Sequence, residues 1–405
     1  MHVVIFVDFH DSSVGGVQTS VRGQRKGLEE LGHTVTIVSP PPIGVMESDP
    51  SVMTLPALPL VRPNGFPLPL PSKKNLRLIE AFLAKRGPID VVHVQTNMGV
   101  GILGTKFAKK HGLPLVQTMH GRDDVFADTY PLPRIITGLQ RRLHERHVPH
   151  IHPVNRLHDT PTAYNAWRIM VNHAQSADHV VMPSHHFADK FKKHGVTKPI
   201  EVISNGIGDE VVASLDVKKR KKATRNTPLK VMWCGRFSDE KRPLDSIKAV
   251  VKIPGCELDM FGDGPLVKTV EEYITMHDLA DRVHLRGRVD QIGILNAMQN
   301  HDVLLYPSFG FDNQPMVLIE AVAAAIPVVY CDPDLTECMP AGGGLITEST
   351  SVAAIVRALE TLKKQPKKRD EMHEIMLAHR DEVIQSYHSK KMSALYRHVI
   401  KKRQK

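Results

Sequence analysis

The sequence predicts two doubly wound α/β domains that face each other across a cleft. Short apolar runs of strand length alternate with amphipathic helical segments along most of the chain, as in consecutive βαβ units of a parallel sheet. The chain also has 405 residues. That length exceeds the size at which one hydrophobic core keeps growing, so two domains of about 200 residues are expected. Ligands of such sheets bind beyond the carboxyl ends of the strands.

The first domain is expected to span residues 1–205. Its predicted strands lie at 3–7, 34–38, 91–95, 115–118, 179–182 and 201–204. One predicted helix follows the first strand and ends at Gly32, and the others lie at 76–85, 100–111, 134–147 and 164–176. The proline-rich residues 40–71 cannot form a regular helix and are predicted to be a long loop.

The second domain is expected to span residues 206–380, and residues 381–405 are expected to form a basic helix that packs back toward the first domain. The polar run at 217–228 is interpreted as a linker or an exposed segment. The predicted strands lie within LKVMWCG (229–235), ELDMFGDGP (257–265), RVHLRG (282–287), DVLLY (302–306) and PVVYC (327–331).

Composition indicates a globular protein of a reducing compartment. Hydrophobic residues make up 41% and charged residues 24% of the chain. The N-terminus lacks a basic region and Asp8 interrupts its apolar run, so it is interpreted as a strand and not as a signal peptide. No uncharged apolar run approaches the roughly 20 residues that span a bilayer. The four cysteines form no CxxC pair, which argues for the cytoplasm and against structural zinc.

Charge is distributed unevenly along the chain. Residues 1–200 contain 23 Lys and Arg against 15 Asp and Glu, whereas the remainder contains 30 against 28. The first half therefore either contacts an acidic partner or has a solvated basic face. A nucleic-acid partner is disfavoured because aromatic residues are only 5% of the chain and do not interleave with the basic clusters.

The second domain is organised around DVLLYPSFGFDNQPMVLIEAVAAAIPVVYC (302–331). Its apolar helix, predicted at 315–325, contains Glu320. A carboxylate inside an apolar helix is costly to bury, so Glu320 is expected to have a partner or a ligand. Asp312 in the preceding loop is either a ligand-binding acid or a cap for that helix.

The segment CGRFSDEKR (234–242) follows an apolar strand and carries Arg236 and Lys241. Two cations at the carboxyl end of a strand suit a pyrophosphate, the arginine through its fork and the lysine as a point charge. The alternative is that both are surface charges with Asp239 and Glu240 as neighbours.

Two glycine motifs are less specific. Gly15 and Gly16 lie between the first strand and the first helix, where glycine allows backbone amides to approach an anion. A tight βα turn is the alternative. GDGP (262–265) resembles the start of a dinucleotide fingerprint, but Val267 stands at the third glycine position, so a turn before a helix is favoured.

His120 closes a strand and is the histidine best placed to reach the cleft, although a strand-end histidine is also compatible with a structural role. DPD (332–334) resembles a metal-binding pair of aspartates, but Pro333 favours a turn.

With these motifs the chain resembles the retaining glycosyltransferases of family 4, which have the GT-B fold of two Rossmann-like domains facing an interdomain cleft. The resemblance covers nearly the whole length and is most specific over 231–329. There the Gly-Arg-xxxx-Lys segment, Gly-x-Gly-Pro, the acid pair and AAIP (324–327) follow one another. VISNGI (202–207) matches a further family segment, with Ser204 where proline is usual.

The resemblance implies a role for each candidate residue. The residues implied to bind the nucleotide sugar are Gly15, Gly16, Arg236, Lys241, Arg288, Val289, Met316, Val317 and Glu320. The residues implied to act at the reacting bond are His120, Asp312, Arg236 and Lys241. Glu320 would hold the ribose, and Arg288 and Val289 would read the base. Most family members have glutamate where this chain has the shorter Asp312, and Pro315 removes an amide that many relatives supply.

The first domain resembles the branch of the family that glycosylates diacylglycerol or phosphatidylinositol, over GFPLPLPS (65–72), HVQTNMGVG (93–101) and TMHGRDD (118–124). The predicted helix at 134–147 is basic and amphipathic. Its cations are Arg134, Arg141, Arg142 and Arg146. Such a surface binds anionic lipid by about 1 kcal/mol per cation, whereas the alternative is a solvated helix packing on its own domain.

The resulting hypothesis is transfer of a hexose, with retention of configuration, from a nucleotide diphosphate sugar to a lipid hydroxyl. The donor would be of the UDP-glucose or GDP-mannose type, and the enzyme would be peripheral on the cytoplasmic face of the membrane. No metal is expected to be required because two cations stabilise the leaving diphosphate, and stimulation by Mg²⁺ is left open. The rivals are a nucleotide-sugar 2-epimerase and a non-enzymatic membrane-binding protein.

Overall fold

The chain divides into two compact units, each built on one parallel sheet. The computed structural model describes residues 1–10, 13, 15–44, 49–58, 65–130, 132–149, 153–217 and 227–404. One unit comprises Met1–Ser204 and His388–Lys405, and the other comprises Asn205–Tyr387. The division falls one residue before the predicted boundary. Most of the predicted linker at 217–228 lies outside the described residues.

The N-terminal unit contains a seven-stranded parallel sheet with the order β3-β2-β1-β4-β5-β6-β7. The strands are β1 (His2–Phe6), β2 (Thr34–Ser39), β3 (Val52–Thr54), β4 (Val91–Val94), β5 (Leu115–Thr118), β6 (His179–Met182) and β7 (Ile200–Val202). The helices are α1 (Gly16–Glu30), α2 (Lys73–Leu83), α3 (Gly99–Lys110), α4 (Asp123–Phe126), α5 (Pro133–His147), α6 (Pro161–Gln175) and α7 (His185–Lys193).

The C-terminal unit contains a six-stranded parallel sheet with the order β10-β9-β8-β11-β12-β13. The strands are β8 (Leu229–Cys234), β9 (Cys256–Phe261), β10 (Val283–Gly287), β11 (Val303–Tyr306), β12 (Val328–Tyr330) and β13 (Gly344–Ile346). The helices are α8 (Asp209–Ser214), α9 (Pro243–Val250), α10 (Val267–Met276), α11 (Gln291–Gln299), α12 (Met316–Ala323), α13 (Val352–Lys364), α14 (Pro366–Ala378) and α15 (Gln385–Arg403).

Helix α15 begins in the C-terminal unit and continues into the N-terminal unit. Its apolar residues Met392, Leu395, Tyr396 and Val399 are buried in one core with residues of β1 and α1, including Val3 and Val21. This packing removes the apolar face of α15 from water, which is the main driving force for docking a terminal helix.

Several helices begin where the sequence offers a capping side chain. The hydroxyl of Ser72 accepts from the backbone N–H of Asn75 at the start of α2, and Thr160 does the same for Ala163 at the start of α6. Two strands were missed by the sequence analysis. The predicted loop at 40–71 contains β3, and β13 was not predicted, because both strands are short and neither lies in a continuous apolar run such as the PVVYC that marked the equally short β12.

The two sheets share one topology. When the strands of each sheet are numbered in chain order, both sheets have the spatial order 3-2-1-4-5-6, and the N-terminal sheet has a seventh strand after the sixth. In this order the chain reverses direction across the sheet between β1 and β4 in one unit and between β8 and β11 in the other. Ligands of doubly wound folds bind outside the carboxyl ends of the strands at such switch points.

Candidate active site

A compact ionic cluster occupies the switch point of the C-terminal sheet. The Lys241 ammonium donates to both carboxylate oxygens of Asp312, at 2.6 Å and 2.7 Å, and to the hydroxyl of Tyr306 at 3.0 Å. The Tyr306 hydroxyl in turn donates to Asp312 Oδ2 at 2.6 Å. Lys241 follows β8, whereas Tyr306 ends β11 and Asp312 lies in the loop after it. The cluster therefore joins the two strands that flank the switch point.

The surroundings of Lys241 restrict its position. A short 3₁₀ turn (Asp239–Lys241) precedes α9, and the indole N–H of Trp233 donates to the Lys241 carbonyl at 3.2 Å. The ammonium also lies 5.4 Å from the ring centroids of Tyr306 and Phe311, within the range of cation–π attraction. Burial and the neighbouring Asp312 charge raise the pKa of Tyr306 well above its ordinary value, so its hydroxyl stays a hydrogen-bond donor.

Asp312 is therefore not the cap of α12. The residue at the N-cap position is Pro315, in an extended conformation, and the Asp312 carboxylate is committed to Lys241 and Tyr306. Met316 and Val317 are the first two residues of α12 and are half-buried. Their backbone N–H groups belong to the first turn, which has no acceptor within the helix.

Arg236 lies on the turn between β8 and Lys241, and its side chain is exposed. The GDGP motif packs against this turn. A Cβ on Gly262 would lie 1.9 Å from the carbonyl oxygen of Gly235, and one on Gly264 would lie 2.6 Å from that of Phe237. The glycines are thus explained by close backbone packing, in agreement with the turn interpretation and not with a dinucleotide fingerprint.

Glu320 lies on α12 and is mostly buried, as its apolar neighbours predicted. Its Oε1 accepts a hydrogen bond from the side-chain amide of Gln291, the first residue of α11, at 2.8 Å. Burial raises the pKa of Glu320, and the hydrogen bond from Gln291 opposes that shift. Burial likewise raises the pKa of the nearby Cys234 thiol to about 12, with the Glu320 charge adding to the effect.

Arg288 and Val289 follow β10, and both are exposed. Gly287 before them has a positive φ of 69°, which turns the chain at the end of the strand. The DPD segment is a turn: Asp332 accepts from the backbone N–H of Asp334 and of Gly310. Within the described part of the chain, no cluster of three or more His, Cys, Asp or Glu side chains is arranged to hold a metal ion.

In the N-terminal unit, Gly15 and Gly16 begin α1 after the loop that follows β1. Gly15 is the N-cap residue in extended backbone, and a Cβ there would lie 2.4 Å from Gln18 Oε1, whereas a Cβ on Gly16 would meet nothing within 4 Å. His120 follows β5, and its Nε2 lies 2.6 Å from Oε1 of Gln95, the residue after β4. Burial lowers the pKa of His120 to about 4, so its ring is neutral at pH 7.

A series of buried hydrogen bonds connects His120 to α15. The Gln95 amide donates to Gln24 Oε1 at 2.5 Å, and the Gln24 amide donates to the Tyr396 hydroxyl at 3.2 Å. The Tyr396 hydroxyl lies 2.6 Å from His93 Nδ1, and His93 Nε2 lies 2.7 Å from Thr118 Oγ1. These hydrogen bonds have one consistent assignment of donors, in which His120 carries its proton on Nε2 and Tyr396 donates to His93.

A cavity of roughly 460 Å³ lies at the switch point of the N-terminal sheet. Its polar side chains come from the ends of three neighbouring strands and the loops after them, and include Asp8 after β1, Gln95 after β4, and His120 and Asp123 after β5. Burial raises the pKa of Asp123 to about 6, and the charges of Asp124 and Asp8 add to the shift. Most of the remaining wall is apolar.

Helix α5 has the exposed basic and apolar character that the sequence predicted. Leu132, Ile135, Leu139 and Leu143 have exposed fractions of 70%, 58%, 59% and 48%. Arg134, Arg142 and Arg146 are exposed on the same helix. Arg141 differs from the prediction: it is half-buried and lies 4.0 Å from the Glu145 carboxylate, which also pairs with Arg168 of α6. We call Leu132, Arg134, Ile135, Leu139, Arg142, Leu143 and Arg146 the α5 surface.

Sequence reasoning missed several residues of these sites. Tyr306 was assigned only to a strand, although its position as the last strand residue before the loop could have marked it. Gln24, Gln291 and Tyr396 lie in no motif, and Gln95 lies in HVQTNMGVG without being distinguished there, since neutral polar residues in helices and strands are common on surfaces. Asp123 lies in the quoted segment TMHGRDD, but the pattern gave no reason to choose it over Asp124, which pairs with Arg122.

Comparison with known proteins identifies the class. Residues 14–211 match the family model described as Glycosyltransferase Family 4, and residues 216–376 match that of glycosyl transferases group 1. The structure resembles sucrose-phosphate synthase from Thermosynechococcus elongatus, with a TM-score of 0.69 and 17% identity over 98% of both chains. It also resembles WaaG, a glycosyltransferase of lipopolysaccharide biosynthesis, with a TM-score of 0.67 and 16% identity over 98% of this chain and 99% of that one.

These findings and the two parallel sheets define a glycosyltransferase with the GT-B fold. Several curated relatives are lipid glycosyltransferases by name, and another is an N-acetyl-alpha-D-glucosaminyl L-malate synthase from Bacillus anthracis. Alpha-monoglucosyldiacylglycerol synthase from Acholeplasma laidlawii is 25% identical over 85% of this chain and 83% of its own length. Phosphatidyl-myo-inositol mannosyltransferase from Mycolicibacterium smegmatis is 24% identical over 79% and 73%. The chain belongs to glycosyltransferase family 4, and the predicted family and fold are confirmed.

Proposed function

We propose that the protein transfers a hexose, with retention of anomeric configuration, from a nucleotide diphosphate sugar to a hydroxyl group of a membrane lipid. The donor is of the UDP-glucose or GDP-mannose type. The observation that carries the proposal is the cluster of Lys241, Asp312 and Tyr306 at the switch point of the C-terminal sheet, with the exposed Arg236 on the adjoining turn. A diphosphate needs cations at a switch point, and this turn supplies two.

In the proposed donor complex, Lys241 and Arg236 bind the diphosphate. Asp312, with the first-turn amides of Met316 and Val317, holds the sugar hydroxyls, and Glu320 accepts from the ribose. Arg288 and Val289 contact the base. One solved neighbour, HepE from Anabaena, was crystallised with UDP and resembles this chain with a TM-score of 0.69 at 16% identity. That likeness is one of fold, so the proposed donor class rests on Lys241, Arg236 and Glu320.

The chemical step is proposed as a substitution on one face of the sugar. The bond between the anomeric carbon and the diphosphate oxygen breaks, and the acceptor hydroxyl bonds to that carbon from the same side. The hydroxyl proton passes to the departing diphosphate oxygen. Lys241 and Arg236 stabilise the charge of the leaving group, so a divalent metal is not obligatory in this proposal. Gly15 and Gly16 are proposed to approach the phosphates, and His120 to contact the sugar as a neutral imidazole.

The lipid acceptor is supported by the α5 surface and by the names of the curated relatives. Exposed leucine and isoleucine side chains interspersed with arginines suit the interface of a membrane containing anionic lipid. Each cation near such a surface contributes about 1 kcal/mol. In the described part of the chain, none of the helices has the length and apolarity needed to span a bilayer. The proposal is therefore a peripheral contact through α5, on the cytoplasmic face.

The test is a donor screen followed by a transfer assay. UDP- and GDP-sugars are screened for thermal stabilisation of the full chain, and any stabilising donor is incubated with lipid acceptors in mixed micelles. We expect a glycolipid whose anomeric proton signal shows the configuration of the donor, and activity that persists in EDTA. An inverted product would overturn the retaining mechanism. An epimerised nucleotide sugar formed without acceptor would overturn the transferase assignment.

A further inference from the structure

The cavity of the N-terminal unit combines an apolar body with one polar end. Its apolar wall is formed by side chains from the loop before α2 and from α3, α4, α5 and α6. They include Leu68, Leu70, Ile102, Phe126, Leu143 and Ile169. The volume of roughly 460 Å³ lies within the range of about 300–1,000 Å³ that is usual for small-molecule sites. Such a wall binds hydrocarbon, because burial of apolar surface is favourable without any directional contact.

The wall of the cavity is continuous with the α5 surface. Leu143 lines the cavity and is also 48% exposed, and Gln140 and His144 of the same helix line the cavity as well. Leu139, one turn away from Leu143, belongs to the exposed apolar stripe. The helix proposed to rest on the membrane is thus one wall of the cavity. This continuity favours an occupant that comes from the membrane.

The polar end of the cavity contains carboxyl groups, and no cationic side chain lies among its described lining residues. Asp8 and Asp123 line it, whereas none of the described lining residues is Lys or Arg. The histidines there are neutral at pH 7, because burial lowers the pKa of His120 to about 4 and that of His144 to about 3. Arg122, although close in sequence, is paired with Asp124 at 2.9 Å. A phosphate group would meet carboxylates without a counter-charge, an arrangement that costs several kcal/mol.

Asp123 is held so that one carboxylate oxygen remains available. Its Oδ2 accepts from the Asn97 amide at 2.8 Å, and Oδ1 accepts no hydrogen bond from the residues that the structure describes. Oδ1 lies 2.9 Å from the position that a Cβ on Gly121 would occupy, so glycine there leaves room for the carboxylate. Burial raises the pKa of the nearby Tyr130, and the charge of Asp123 adds to that shift.

We propose that this cavity binds the acceptor as an uncharged lipid alcohol of the diacylglycerol type, and that Asp123 accepts a hydrogen bond from its reacting hydroxyl. The inference rests on the proposed function and narrows it, because the curated relatives by name include proteins of both diacylglycerol and phosphatidylinositol chemistry. The hydrocarbon contacts the apolar wall, and the hydroxyl lies at the end near Asp123 and His120.

The experiment compares two acceptors and two variants of the full chain. Dioleoylglycerol and phosphatidylinositol are presented in the same mixed micelles, and the variants are Asp123→Asn and, as a matched control, Asp128→Asn. Asp128 lies in the same segment but is exposed and does not line the cavity. Acceptor-independent hydrolysis of the donor and nucleotide binding are measured in parallel, since neither requires the acceptor.

We expect transfer to dioleoylglycerol and little or none to phosphatidylinositol. In Asp123→Asn the Asn97 donor keeps the side-chain oxygen at the Oδ2 position, so an NH₂ group replaces Oδ1. The acceptor KM is expected to rise about 10- to 100-fold, the range for loss of a hydrogen bond to a charged group, while donor hydrolysis changes less than about twofold. Asp128→Asn is expected to behave as wild type. In wild type the acceptor KM should rise as pH falls through about 6, because a proton on Oδ1 converts that oxygen from a charged acceptor into a donor, and Asp123→Asn should lose that dependence.

The ionisable groups near Asp123 are Asp8, Asp124 and Tyr130, and His120 lines the same cavity. None of these four groups introduces a cation in this pH range. Preferred transfer to phosphatidylinositol, or an unchanged acceptor KM in Asp123→Asn, would overturn the inference while leaving the proposed function intact. Failure of the wild type to bind any nucleotide or to hydrolyse any donor would overturn the proposed function itself, and the inference with it.

Discussion

The two switch points of this molecule have the same topology and opposite chemistry. At the C-terminal sheet, Lys241 is surrounded by hydrogen-bond partners of full or partial negative charge, and Arg236 is exposed beside it. At the N-terminal sheet, the described cavity lining has carboxyl groups, neutral histidines and apolar side chains. The order of the parallel strands thus determines where a ligand binds, whereas the residues that follow each strand determine which charge the ligand can carry.

The two sites also differ in whether their charged groups are paired with each other. Lys241 and Asp312 neutralise each other, so a diphosphate has to compete with Asp312 for the ammonium. The N-terminal cavity has no such ion pair among its described lining residues, and burial keeps its histidines neutral and raises the pKa of Asp123. At the C-terminal site a bound diphosphate would replace Asp312 as the partner of Lys241, whereas the N-terminal cavity suits an uncharged ligand.

The largest effect is expected from Lys241→Ala. We expect kcat/KM for transfer to fall about 10³-fold, because the variant removes the cation that stabilises the leaving diphosphate and leaves Asp312 without its counter-charge. Nucleotide binding by calorimetry should weaken in parallel. Lys252→Ala, an exposed lysine that follows α9, is the control and should retain full activity. A Lys241→Ala enzyme within threefold of wild type would contradict the role of this cluster.

A second comparison concerns the cations of α5. The triple variant Arg134→Gln, Arg142→Gln and Arg146→Gln should weaken binding to vesicles that contain anionic phospholipid by about 100-fold. This follows from about 1 kcal/mol for each of three cations. Co-sedimentation at low salt measures the effect. Arg141→Gln should change binding far less, since Arg141 is directed toward Glu145. Equal losses in the two proteins would mean that the charge of the whole unit, and not this surface, attracts the membrane.

Tyr396→Phe tests whether α15 positions the candidate catalytic histidine. The variant removes the hydroxyl that joins Gln24 to His93, so we expect kcat to fall about tenfold with little change in the donor KM. The buried groups left without a partner should also cost about 1–3 kcal/mol of unfolding free energy. ¹⁵N chemical shifts of His120 report the tautomer directly, and a mixture of tautomers is expected in the variant.

Tyr387→Phe is the matched control for that experiment, since Tyr387 lies on the same helix and is 41% exposed. It should leave kcat and the His120 tautomer unchanged. A Tyr396→Phe protein that loses stability but retains both kcat and the His120 tautomer would show that these buried hydrogen bonds stabilise the fold and do not position His120.

The sequence predicted the fold because strands and helices of this class carry strong periodic signals. It also placed Arg236, Lys241, Asp312 and Glu320 in the correct unit, because charged residues after or within apolar elements stand out. It could not predict that Lys241 and Asp312 contact each other, since they are 71 residues apart and meet only when β8 and β11 pair. The same holds for Tyr396, whose role depends on α15 packing against β1 and α1.

Arg141 shows a different limit of the sequence. It shares a helix with three exposed arginines, and helical spacing alone does not show which of them faces the neighbouring helix α6. The ion pairs of Glu145 with Arg141 and Arg168 decide that point, and they exist only in the folded unit.

The smallest effect is expected from Asp312→Glu, which introduces the longer acid that the resemblance to family 4 implies at this position. The aspartate carboxylate already contacts Lys241 at 2.6 Å and 2.7 Å and Tyr306 at 2.6 Å, so this frame fits the shorter acid. An extra methylene has to displace one of these partners, and we expect kcat to fall about three- to tenfold, less than the roughly 100-fold that a full 1 Å misplacement of a reacting group can cost, because the carboxylate can shift while keeping one partner. Asp312→Asn keeps the length and removes the charge, so kcat and donor KM of the two variants separate the two effects. If Asp312→Glu instead exceeds the wild type, the spacing of the acid limits this enzyme, and the Lys241–Tyr306 frame is adaptable rather than fixed.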